Sequence, residues 1–194
     1  MKFKNYITEK RKNNVIVVDI QPIYKSNIKF DIDNFVEFIN SQGNILYLFN
    51  GPDTVGGDSK EDIYEWLWHH NITKSIREIK WVDKGYAFFR SWMDSGIDDR
   101  MIKKALRLML QKKVHDSRDI DDDVWAKELP ELWKHVTSSF DDPIWFPPEI
   151  RIDKLKKWSG SYICGGGIHE CLREILILLS AFNIKVKVVK EFTY

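Results

Sequence analysis

Two short stretches, NVIVVDIQ (Asn14 to Gln21) and NILYLFNG (Asn44 to Gly51), are apolar at almost every position until a polar residue ends each run. Runs this short and this continuous, with β-branched residues, read as strands buried on both faces rather than as half-exposed strands. Both faces of such a sheet must be covered, so helices are expected between the strands. IDNFVEFINSQGN supplies one, with Ile32, Phe35, Val36, Phe38 and Ile39 on a helical period and Gly43 as its stop. KEDIYEWLWHH follows, with Asp58 or Ser59 as its cap, and REIKWVDKG reads as a third strand. DDRMIKKALRLMLQKK is helical, AKELPELWKHV is a helix broken around Pro130, and IDKLKKW is a short helix. SYICGGG, HECLREILILLSAF and KVKVVKEF close the chain as strand, buried helix and strand. The alternation predicts βαβ units in a mainly parallel sheet with helices on both sides, a Rossmann-like three-layer αβα sandwich.

The 194 residues, 43% of them apolar, suit one domain spanning residues 1–194 with its own core. Residues 92–152 are the least regular part and read as an insertion forming a lid over the sheet's rim. Thirty Lys and Arg against 29 Asp and Glu leave a net charge of +1, so no bulk field draws the chain to nucleic acid or to an anionic membrane. No apolar run is long enough to span a bilayer, and the basic opening MKFKNYITEKRKNN lacks a secretion signal's apolar segment and reads as a loosely packed arm. With only Cys164 and Cys171 present, two free thiols in a reducing cytoplasm are expected. The eight tryptophans supply aromatic surface for a pocket or for self-association into a homo-oligomer.

In open parallel sheets, ligands sit beyond the carboxyl ends of the strands. Asp19, the Asn50–Asp53 turn, Lys84 and the glycine loop before Cys171 all fall there. A thiol at a helix N-terminus meets the positive end of the dipole and unpaired amides, and glycines allow those amides to approach a substrate. On residue type alone, a lone cysteine more often packs than reacts, an aspartate after a strand often only caps a loop, and a lysine is usually solvated. Glu170, next to Cys171, opposes a thiolate.

Taken together, VVDIQ with Asp19, KGYAFF with Lys84, and GGGIHEC with Gly165 and Cys171 resemble the isochorismatase-like cysteine hydrolases, the family that includes nicotinamidases. The likeness covers roughly residues 14–92 and 153–192, and its last helix, turn and strand run in register, with Asn183 where glycine is usual. The resemblance implies Cys171 as nucleophile, Asp19 as general base and Lys84 as the charge that steadies the thiolate. It implies amides of the Gly166, Gly167, Ile168, His169 and Glu170 loop around the oxyanion. The reaction implied is hydrolysis of an amide or related C–N bond of a small molecule through a cysteine thioester, with no cofactor and no metal. Ile168 stands where the family has threonine. The Asp-x-His…His signature of nicotinamidases is absent after the second strand, where FNGPDTVGGD stands instead, and adjacent His69 and His70 face apart on a helix, so nicotinamidase itself is disfavoured.

Two other readings stay open. In one, the fold binds a small molecule or a protein without catalysis, and Trp125, Trp133 and Trp145 in the insertion form a contact surface or, in the favoured version, a lid. In the other, a Mg²⁺-dependent PIN- or NYN-type nuclease would gather Asp19, Asp53, Asp58 and the acidic run Asp116 to Asp123 around a metal. GGGIHEC ends the fourth strand where such nucleases want an aspartate. His115, His135 and His169 have no metal-ligand spacing.

Overall fold

The computed structural model describes residues 13–53, 56–85, 88–136 and 143–194. The basic N-terminal arm, Tyr86 and Ala87 of KGYAFF and the side chain of His135 lie outside the described set.

Five strands form one wholly parallel sheet: β1 (Val15–Val18), β2 (Ile45–Phe49), β3 (Ile79–Asp83), β4 (Tyr162–Gly165) and β5 (Lys187–Val188). Their spatial order is β3-β2-β1-β4-β5, with Val18 opposite both Leu48 and Gly165. The central strands β1 and β2 are buried at every position, as their unbroken apolar runs require. The KVKVVKEF stretch pairs only at Lys187 and Val188 and then turns into a 3₁₀ segment, Lys190–Phe192.

Alternate strand residues feed two half-cores. Val15, Val17, Ile45, Tyr47 and Cys164 pack against α1 (Ile32–Ser41) and α2 (Lys60–His69). Ile16, Val18, Leu46, Leu48 and Ile163 face the opposite way. They meet α4 (Asp99–Gln111), which follows the short α3 (Arg90–Asp94), together with α5 (Asp122–Glu128) and α8 (Cys171–Ala181). This is a Rossmann-like three-layer αβα sandwich. Between α5 and β4 lie α6 (Pro130–Val136) and α7 (Ile152–Leu155), and the break at Pro130 falls where the sequence predicts it.

The 92–152 stretch divides in two. Its helix α4 lies along α8, with Arg107 Nε donating to Ala181 O at 2.7 Å and Arg173 Nη2 reaching Asp99 Oδ1 at 2.8 Å, and so it completes a helical layer. Trp125 is buried and Trp133 is partly buried against the same core, whereas Trp145 is 36% exposed at the rim. Among the described residues no helix is long and apolar enough to cross a membrane.

Local endings follow side-chain chemistry. Ser59, not Asp58, caps α2, in a capping box with Asp62. Gly43 is not the left-handed stop expected for α1: the helix ends at Ser41, Gln42 leaves it in an extended conformation, and Gly43 N donates to Asn13 O. The true left-handed stop is Asn183, at φ 58°, after α8. The Ile184 and Asn183 amides donate back to Leu179 O and Ser180 O, a Schellman ending that asparagine tolerates better than most residues.

Candidate functional site

Asp19 is the first residue past β1 and takes a left-handed conformation, φ 50°, which turns its side chain under the rim. Its amide donates to Leu48 O at 2.9 Å, and its carbonyl accepts from the Tyr194 hydroxyl at 2.9 Å. Two residues on, Gln21 explains the Asp-x-Gln pattern. Its buried amide receives Asn50 N at 2.9 Å and donates to Asn50 O at 3.0 Å, tying the loops after β1 and β2 together. Asp58 accepts from Gln21 Nε2 and from Ile23 N, so it braces a loop.

Lys84 leaves the end of β3 with its amide on Phe49 O at 2.9 Å, and its side chain crosses the end of β2 to reach Asp19. Lys84 Nζ lies 3.0 Å from Asp19 Oδ2, with side-chain exposures of 1% and 0%.

The third component arrives through the glycine loop. Gly165 (φ 84°) ends β4 pressed on β1, where a Cβ would sit 2.0 Å from Val18 O, so only glycine fits. The chain then turns through Gly166 (φ 59°) into α8, whose first residue is Cys171. The loop amides are not equally available. Ile168 N donates to Tyr194 O, while Glu170 N and Leu172 N both donate to Gly167 O. The N–H groups of Ile168 and Glu170, both expected near the oxyanion, are thus already engaged by backbone acceptors. Among the described residues, the N–H groups of Gly167, His169 and Cys171 have no acceptor. The side chains of Ile168, His169 and Glu170 are exposed. Gly166 is a turn residue whose carbonyl accepts from Tyr194 N.

The electrostatics follow from burial. Enclosure raises the Asp19 carboxyl above its ordinary value, opposed by Lys84, the Cys171 thiol and Arg90. Burial also pushes the Cys171 thiol up, to about 12, and nearby Asp19 adds to the rise, while Lys84 and Arg90 oppose it. Lys84 pays a desolvation cost, but attraction to Asp19, Cys171 and Glu174 outweighs it and holds the ammonium protonated. The resting site therefore pairs a neutral thiol with a base of raised affinity for protons. Cys164 is buried in the sheet and inert, its thiol raised still further by burial.

Three contributors carry no sequence signal of their own. Arg90, at the start of α3, donates from Nη2 to Cys171 Sγ at 3.4 Å and places Nη1 3.5 Å from Glu170 Oε2. Glu174, one turn into α8, is buried and accepts from Phe88 N at 3.1 Å and Phe89 N at 2.9 Å, fixing the approach to Arg90. Tyr194 braces Asp19 and the glycine loop together. The KGYAFF pattern pointed to this neighbourhood, but not to Arg90 just after it.

Beside the cluster opens a cavity of about 710 Å³, lined by Phe88, Phe89, Trp145, Arg90, Asp83 and Glu149 among others. Cys171 is not part of its lining; Arg90 is the residue common to the cavity and the sulfur. From the 92–152 stretch, the 143–149 segment lines this cavity, and its Trp145 amide donates to Phe88 O.

The nuclease residues do not converge. Asp19 is committed to Lys84, Asp58 to its loop, and Asp116 to Arg118. Among the described residues no group of three His, Cys, Asp or Glu side chains could hold a metal ion. His70 meets Asp33 at 2.7 Å while His69 lies 4.0 Å from Glu65, so the adjacent pair does face apart. Comparison with protein-family profiles, with curated proteins and with solved structures finds no match to this chain.

Proposed function

We propose that the chain is a cysteine hydrolase of the isochorismatase-like type, cleaving an amide or related C–N bond of a small molecule. One observation carries the reading: Asp19, Lys84 and Cys171, from three separate segments, meet at one buried point. In the step this supports, Asp19 takes the Sγ proton and the sulfur attacks the carbonyl carbon. The carbonyl oxygen then draws on the N–H groups of Gly167, His169 and Cys171. Asp19 returns the proton to the departing amine, leaving a thioester. Water, deprotonated by Asp19, attacks the thioester and releases the acid and the thiol. The raised proton affinity of Asp19 suits this exchange better than an ordinary carboxylate, whose pKa lies far below that of a thiol. The test is a stopped-flow burst with p-nitrophenyl acetate and mass spectrometry of the quenched protein. A stoichiometric burst with an acetyl group on the Cys171 peptide, absent in Cys171→Ala, is expected; no adduct at Cys171 rejects the reading.

The second reading is a non-catalytic small-molecule binder of the same fold. The observation that favours it is the high proton affinity of the Cys171 thiol, which leaves almost no thiolate at neutral pH in the free protein.

A further inference from the structure

We propose that Arg90 is a fourth catalytic residue, the cation that receives the negative charge when the proton leaves Cys171. The proposal rests on the cysteine-hydrolase reading. Its geometry is direct: Nη2 donates to Sγ at 3.4 Å, and the Arg90 side chain is 18% exposed. The position is also imposed from outside. Glu174, on the same helix as Cys171, holds the amides of Phe88 and Phe89, so the helix that carries the nucleophile also sets the segment that carries the cation. Arg90 Nε is enclosed with no acceptor among the described residues, so the guanidinium is not saturated by the protein.

The need for a second cation follows from where charge moves. In the first step the S–H bond breaks, its proton passes to an Asp19 oxygen, and the electron pair stays on Sγ. Negative charge thereby leaves the carboxylate and appears on the sulfur. Lys84, 3.0 Å from Asp19, stabilises the charge before the transfer as well as after it. An interaction present equally in both states does not favour the transfer. Arg90 contacts the sulfur, so its attraction is realised mainly once the thiolate exists. It stays protonated throughout. Glu170, 64% exposed and 3.5 Å away, offsets part of its charge in the resting protein through a weak, solvent-screened pair.

The test follows iodoacetamide alkylation of Cys171 from neutral to strongly alkaline pH, read on the Cys171 peptide, in wild type, Arg90→Gln, Arg90→Lys, Glu170→Gln and Lys84→Met. Arg90→Gln is expected to raise the apparent thiol midpoint by about one unit, an approximately tenfold slower reaction below it. Arg90→Lys recovers most of that loss because the charge is kept. Glu170→Gln, at an exposed position with no part in the core, moves the profile the other way, about threefold faster below the midpoint, since a full unit is worth tenfold. Profiles of Arg90→Gln and Glu170→Gln that coincide with wild type while Lys84→Met is displaced would overturn the Arg90 role and leave the hydrolase reading standing. Profiles that respond to neither Lys84 nor Arg90 would remove both. If Arg90→Gln does not fold, the Glu170→Gln and Arg90→Lys profiles decide: an unchanged Glu170→Gln rate overturns the proposal.

Discussion

Lys84 and Asp19 form an ion pair, Nζ to Oδ2 3.0 Å, with both side chains sealed from water at the carboxyl ends of the strands. Two such charges cost several kcal/mol each to desolvate, and their mutual attraction repays that only while both are present. A pair of this kind adds little to stability, yet either partner alone is costly.

Lys84→Met therefore destabilises the fold by roughly 3–5 kcal/mol at neutral pH, because Asp19 is left buried without its counter-charge. The Asp19 folded-state pKa is already raised, and removing Lys84 raises it further. Its protonated form is the one the fold tolerates, so the deficit shrinks as pH falls through the folded value. Urea titrations at neutral and mildly acidic pH measure this, and a deficit independent of pH would contradict it.

Cys171 in the free protein rests as a neutral thiol. With its pKa pushed to about 12, iodoacetamide modification stays slow at neutral pH and climbs only in alkali. The same shift predicts a stability loss. The folded thiol stays protonated above the ordinary 9.0 at which an unfolded one ionises, so this contribution is intact below 9.0 and declines as pH rises towards about 12. Cys171→Ala lacks that part of the alkaline decline, which comparison of urea midpoints on either side of 9.0 detects.

Gly165→Ala costs roughly 2–5 kcal/mol, the sum of a left-handed alanine and forced overpacking against Val18 O. Gly160 shares the φ of 84° but has nothing within 4 Å of an added Cβ. Gly160→Ala should then cost only about 1–2 kcal/mol, the conformational part. Equal losses from the two in thermal melts would show that contact with β1 is not what demands glycine.

Glu174→Ala leaves the Phe88 and Phe89 amides without their acceptor and destabilises by roughly 2–6 kcal/mol, since each buried donor left unsatisfied costs about 1–3 kcal/mol. Glu174→Gln keeps an acceptor oxygen and loses less. Because the Arg90 segment hangs on these bonds, Glu174→Ala also shifts the Cys171 alkylation profile in the direction of Arg90→Gln.

Much of the architecture was legible along the chain. VIVV (Val15–Val18) and ILYLF (Ile45–Phe49), without a charged position, could bury their side chains only between two helical layers, and β1 and β2 are buried at every residue. Asp19, Lys84 and the GGGIHEC loop were readable as rim residues because parallel strands deliver their carboxyl ends to one edge. Their convergence was an inference from order and resemblance. Gly43 misled because a glycine after a helical period signals a stop, while the chain here leaves in an extended conformation after Ser41.

By itself, then, the sequence determined the layers, the parallel sheet and the edge at which reactive groups gather, since burial period and strand direction are local properties of the pattern. Only the tertiary structure decided the chemistry of that edge. Arg90 meets Cys171 across 81 residues, and Glu174 holds Phe88 across 86. The depth of burial that raises Asp19 and Cys171 depends on packing from both helical layers and from Tyr194. Charge–charge and desolvation energies depend on distance in space, which no spacing along a single segment encodes.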